Sequence, residues 1–119
     1  MEASISAGPE KPKLLEETIG ACLRRIAREF GEREALVSCE QGVRLSWAEL
    51  DAAVDRLARG LLAAGLERGD RVGIWSPNCA EWTLTQFATA RVGVILVNVN
   101  PAYRTSELAY ALATPAAGC

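Results

Sequence analysis

Arg71-Val72-Gly73-Ile74-Trp75-Ser76-Pro77-Asn78-Cys79-Ala80-Glu81-Trp82-Thr83-Leu84-Thr85-Gln86-Phe87-Ala88-Thr89-Ala90-Arg91-Val92-Gly93-Val94-Ile95-Leu96-Val97-Asn98 reads as one strand–helix–strand unit. Its two ends are short β-branched runs with few polar residues, the pattern of strands buried on both faces of a parallel sheet. Between them Ala80, Leu84, Phe87, Ala88 and Val92 recur at helical spacing and line one face. Asn78 is placed to cap that helix, with Glu81 returning the hydrogen bond, and Gly93 suits the left-handed position just past its end. A right-handed crossover is expected, because parallel strands joined through a helix almost always connect that way.

Upstream, Ile19, Cys22, Leu23, Ile26, Ala27 and Phe30 form an amphipathic stripe that predicts a helix, with Glu16 and Glu17 at its positive end. Arg24, Arg25 and Arg28 lie toward its negative end, either as a solvated face or as a patch for an anionic ligand. Gly31 ends this helix. Ala35, Val37 and Cys39 alternate with Leu36 and Ser38, and Val43 and Leu45 with Arg44, so two antiparallel strands joined by Glu40-Gln41-Gly42 are expected. Ser46-Trp47-Ala48-Glu49 is a complete capping box, which starts a helix whose core face is Leu50, Ala53, Val54, Leu57 and Leu61. Asp55 and Arg59 make an i,i+4 pair, and Gly65 before apolar Leu66 is a Schellman-type stop. Downstream of the central unit, Val99 to Arg104 is a loop, and Thr105 caps a last helix from Ser106 to Ala113 that buries Leu108, Ala111 and Leu112.

The fold class is therefore α/β: a small antiparallel hairpin plus a βαβα parallel unit with flanking helices. The chain has 119 residues, half of them apolar, enough for one small globular, soluble domain. Thirteen Lys+Arg against 15 Asp+Glu give a net charge of −2 with scattered basic residues, so nothing argues for a nucleic-acid partner. Residues 1–13 read as a flexible segment that lacks the apolar core of a secretory signal, and no run is long enough for a transmembrane segment. A cytoplasmic location is expected. Cys22, Cys39, Cys79 and Cys119 are far apart, without a Cys-x-x-Cys pair, and the first three are expected to be buried apolar fillers rather than disulfide partners.

No catalytic constellation emerges from the sequence. Histidine is absent, which removes the commonest general base and metal ligand together, and no catalytic, cofactor-binding or metal-ligating residue is assigned. The turn Trp75-Ser76-Pro77-Asn78 contains no glycine, so it cannot bring backbone amides against a pyrophosphate as a Gly-x-Gly-x-x-Gly loop does. The positions worth weighing stand at the carboxyl ends of the parallel strands, where ligands settle in open α/β sheets: Ser76 and Asn78 after the first, Asn98 and Asn100 after the second. They serve either to hydrogen-bond a polar ligand or, more simply, to cap and turn the chain. Arg104 beside Tyr103 serves either to touch a phosphate or carboxylate or, more simply, to pack structurally on that ring, and Trp47, Trp75 and Trp82 are expected to belong to the core or an interface.

Four segments in order, Leu45 to Asp51, Gly65 to Ile74, Ser76 to Trp82 and Val97 to Arg104, strongly resemble the N-terminal portion of the AMP-binding acyl-adenylate-forming enzymes, and most of all the fatty-acyl-CoA synthetases. The likeness runs from Leu14 to Ala113, so residues 14–113 are expected to form part of the N-terminal subdomain of that fold, with 114–119 a truncated tail. The resemblance implies a parent reaction in which ATP activates a carboxylate to an acyl-adenylate and coenzyme A then takes the acyl group. It also implies that the family's phosphate-binding loop and catalytic lysine match no position here, leaving the chain inactive alone and without ATP, Mg or coenzyme A. The alternative expectation is a non-catalytic module that docks through an unpaired sheet edge such as Val94 to Val97.

Overall fold

A computed structural model describes residues 4–113, and eight elements follow one another along them. Helix α1 (Ile19–Phe30) leads into a hairpin of β1 (Glu34–Ser38) and β2 (Val43–Ser46). Then come α2 (Trp47–Ala63), β3 (Arg71–Trp75), α3 (Ala80–Val92), β4 (Ile95–Val99) and α4 (Thr105–Ala113). β1 pairs antiparallel with β2 and β3 parallel with β4, each pair a two-stranded sheet, as the sequence predicts. Residues 4–13 carry no helix or strand and are exposed, while the expected tail 114–119, with Cys119, lies outside the described residues.

Local signals place α2 at the centre. Ser46 Oγ accepts from the Glu49 amide at 3.2 Å while the Glu49 carboxylate accepts from the Ser46 amide at 2.8 Å, the full capping box. Leu50, Val54 and Ala58, one helical turn apart, are 2 %, 0 % and 3 % exposed and meet Leu23 of α1 and Ala88 of α3. Ala58 joins this stripe where Ala53 was expected to matter, since a methyl group suffices where three helices converge. At the far end the Leu66 amide reaches Leu61 O and the Gly65 amide Leu62 O, with Gly65 at φ +93°, the complete Schellman pattern.

Helix α1 is capped by Thr18, whose Oγ1 accepts from the Ala21 amide at 3.1 Å. Its apolar stripe buries Leu23 and Ala27 but leaves Ile19 exposed, while the next residue, Gly20, is the one that meets α3. Gly31 does end α1, yet in right-handed backbone at φ −47° rather than a left-handed cap. A Cβ there would sit 2.8 Å from Ala27 O and 3.4 Å from Ala48 Cβ, so the glycine serves the close approach of α1 to the start of α2. A bulge between Glu34 and Leu36 puts both Ala35 and Leu36 against the core and leaves Val37 exposed.

Three expectations are overturned. β3 and β4 are not buried on both faces: Trp75 and Ile95 are about half exposed, because helices cover a single side of a two-stranded sheet. None of the residues of α4 is buried, and Leu112 is exposed, since no neighbouring element of the described chain covers that helix. Thr105 is the first helical residue instead of the cap. Arg104 holds the cap position, its carbonyl receiving the Leu108 amide while its own amide donates to the Glu107 carboxylate at 3.1 Å.

Candidate functional site

β3 and β4 run in register, Arg71 beside Ile95 and Trp75 beside Val99, so their carboxyl ends open together. A cleft of about 490 Å³ lies there and gathers Ser76, Asn78, Asn98 and Asn100, all four residues singled out at the strand ends. Val97 and Val99 give it apolar surface, Trp82 from α3 and Tyr103 from the following loop give it aromatic surface. The carboxamides of Asn78 and Asn98 have no partner among the described residues and are exposed, so they are available to a ligand. Asn100 is committed to the turn. Its Oδ1 accepts from the Ala102 amide at 3.0 Å and its carbonyl from the Tyr103 amide and from the Trp75 indole N–H at 3.1 Å. Ser76 Oγ donates to Pro77 O at 3.0 Å, again a local turn contact.

The tryptophans divide. Trp47 packs against the core, Trp75 is half exposed with its N–H bridging the two strand ends, and Trp82 lines the cleft. Among the described residues no guanidinium stacks on Tyr103; the observed stack is Arg33 over Phe30, 4.7 Å from the ring centre. Of the three described cysteines Cys22 and Cys79 are half-buried and Cys39 is exposed, so Cys39 is not the apolar filler expected, its turn lying outside the core.

Asn78 does not cap α3. Cys79 occupies the cap position, but its thiol meets Ser76 Oγ at 3.7 Å and makes no capping bond, and the Ala80 amide donates instead to Gln41 Oε1 at 2.7 Å, from the hairpin turn. Gln41 Nε2 in turn donates to the Glu81 carboxylate at 2.8 Å. Sequence reasoning missed this because the cap comes from a residue 39 positions away. Gly93 behaves as expected, at φ +75° with the Val94 amide on Thr89 O.

The Gln41 hydrogen bond is the main cause that holds the Glu81 carboxyl below its ordinary range; Arg25 does the same for Glu17, and the residue's own backbone amide for Glu107. In each case the folded value is lowered, so the stabilisation is present above the unfolded value of 4.5 and is lost as pH falls through the folded one. Urea midpoints measured from pH 7 to pH 3 are therefore expected to hold to about pH 5 and then fall, and Glu81→Gln is expected to flatten part of that fall.

A larger groove of about 700 Å³ runs beside α1 and holds Arg24, Arg25, Arg28 and Arg91. Arg25 pairs with Glu17 at 2.5 Å and Glu29 at 3.7 Å, Arg24 with Asp55 at 3.9 Å, and Arg91 with Asp51 at 2.5 Å. The Asp55–Arg59 pair expected from the sequence closes at 2.8 Å. Three of the four guanidiniums are met by carboxylates and Arg28 has no carboxylate partner among the described residues, so this surface is largely an ion-paired helix face, and the strand-end cleft remains the candidate site. The cleft lining carries no cation and no carboxylate, and no cluster of metal-ligating side chains occurs among the described residues. Those residues thus do not fit the phosphates of ATP or a magnesium ion.

Comparison with known proteins places this geometry. Residues 23–118 match the model of the AMP-binding enzyme family. A medium-chain acyl-CoA ligase, ACSF2, described as mitochondrial, from Rattus norvegicus is 52% identical over 99 residues, which are 83% of this chain and 16% of that protein. Acyl-CoA ligase sidI of Aspergillus fumigatus is 46% identical over 109 residues, 92% of this chain and 18% of that one. Among solved structures, the inhibitor-bound N-terminal domain of FACL13 from Mycobacterium tuberculosis superposes with a TM-score of 0.77 at 30% identity, over 80% of this chain and 24% of that domain. The chain thus spans about a sixth of the length of these curated relatives. Its hairpin, its βαβα unit and the matched residues agree on one assignment: the chain belongs to the AMP-binding enzyme family.

Proposed function

We propose that this chain supplies the N-terminal support of an acyl-CoA ligase, the part that carries one wall of the substrate region while other parts of the enzyme carry the chemistry. The observation behind this reading is the 52% identity over 99 residues to a protein named as a medium-chain acyl-CoA ligase. The parent reaction would join a medium-chain carboxylate to coenzyme A through an acyl-adenylate. ATP, magnesium and coenzyme A would be held by segments beyond the residues described here, in keeping with a cleft lined by neutral side chains.

A graft tests it. With this chain replacing the matched 99 residues of the rat ligase, acyl-CoA formation is expected to stay within about tenfold of the parent enzyme, a change of ~1.4 kcal/mol in transition-state stabilisation. A folded but inactive graft would reject the reading. The 119-residue chain alone is expected to release no pyrophosphate from ATP and fatty acid above a protein-free control.

A second reading is favoured by one observation: Trp75 and Ile95 on the parallel sheet are 49 % and 47 % exposed, and among the described residues β3 and β4 each have a single neighbouring strand. Such a sheet edge would suit docking on another chain. Sedimentation as a compact monomer speaks against it. The cytoplasmic location expected from the sequence competes with the mitochondrial one in the relatives' names, and fractionation of cells expressing the tagged protein decides between them.

A further inference from the structure

We propose that Gln41, at the tip of the β1–β2 hairpin, is a positioning residue for the strand-end cleft: by clasping the N-terminus of α3 it fixes the turn that carries Ser76 and Asn78. The first amides of a helix have no partner inside it. In α3 the Cys79 side chain supplies none, and Ala80, whose amide needs one, is only 4 % exposed. Gln41 Oε1 meets that amide at 2.7 Å, Gln41 Nε2 donates to the Glu81 carboxylate at 2.8 Å, and Ser38 Oγ donates to the same Oε1 at 2.8 Å. A flipped carboxamide would set its NH2 against the Ala80 N–H and leave Glu81 facing an oxygen, so these two bonds together select one orientation, which the Ser38 hydroxyl follows.

The contacts cross from the hairpin to the parallel unit, two parts that otherwise meet through α2 and where β1 touches α3. The hairpin is itself anchored on the core through Leu36 and Leu45. Gln41 therefore ties the start of α3, which also brings Trp82 to the cleft, to a hairpin packed on the core. The functional consequence rests on the reading of that cleft as part of a ligand-binding wall.

Two measurements test the clasp and its consequence separately. In the full chain, Gln41→Ala is expected to speed hydrogen exchange at the Ala80 amide by about tenfold or more relative to the Val54 amide, as loss of a buried partner would. Gln41→Glu sets two carboxylates face to face and is expected to loosen the same amides, whereas the double variant Gln41→Glu with Glu81→Gln restores donor and acceptor and with them the protection. Unchanged exchange in Gln41→Ala, or a double variant no better than Gln41→Glu, overturns the clasp. In the grafted ligase, Gln41→Ala is expected to raise KM for at least one substrate by about tenfold while kcat falls less. Unaltered kinetics there overturn the positioning role. If the graft carrying Gln41 is itself inactive, the ligase reading fails, and the exchange results still decide the clasp.

Discussion

Leu50→Ala is expected to lower the stability of the chain by about 3 kcal/mol, seen as an earlier urea midpoint with an unchanged slope. Leu50 is 2 % exposed and lies on the face of α2 that meets Leu23, Ala88 and the hairpin residues Leu36 and Leu45. Removing its isobutyl group forfeits the transfer energy of about three methylenes and leaves a void. Collapse into that void is resisted because the capping box fixes the start of the helix immediately before Leu50, and the first residues of α2 are bonded to the segment that links α1 to β1, Trp47 N on Arg33 O and Ala48 N on Gly31 O. For a domain of this size the melting temperature should fall by about 10–20 °C. Leu62→Ala, on the same helix but 52 % exposed, is expected to move the midpoint by no more than about 0.5 kcal/mol. Equal effects at the two positions would mean that α2 does not present the face described.

The contrast between these leucines was legible in the sequence, as was every element whose signal is local. Ser46 and Glu49 lie within one turn of each other, and so do Gly65 with Leu66 and Gly93 with Val94; such motifs specify their own geometry. The cleft was partly legible for a related reason, since strand ends in a parallel unit must converge, which gathers Ser76, Asn78, Asn98 and Asn100. What stayed hidden depends on residues brought together across the fold. No spacing rule links Gln41 to Ala80, nor tells that Ala58 rather than Ala53 sits where three helices meet. The β-branched runs read as doubly buried strands because their apolar content is that of an inner sheet, whereas burial depends on what lies against them.

The arginine at position 91 carries the same lesson and the second large prediction. Asp51→Ala is expected to cost about 3 kcal/mol, because it strands a guanidinium whose side chain is 10 % exposed. Arg91 gives one nitrogen to Asp51 Oδ1 at 2.5 Å and another to the Asp51 carbonyl at 3.3 Å, while its Nε is buried without a partner. The carbonyl survives the substitution, and Asp55 remains at 3.9 Å, so the cost belongs at the lower end for a broken buried pair. Nor can the side chain swing out freely: α1 approaches so closely at Gly20 that a Cβ there would stand 3.2 Å from Arg91 Cα. If the loss comes from an uncompensated charge and not from missing packing, Asp51→Ala with Arg91→Met should recover most of it, since an apolar chain of similar length needs no counter-ion. A double variant as unstable as Asp51→Ala alone would place the cost in the aspartate's own contacts. A single variant near zero would mean that water reaches Arg91, and that the groove beside α1 is wetter than its ion pairs imply.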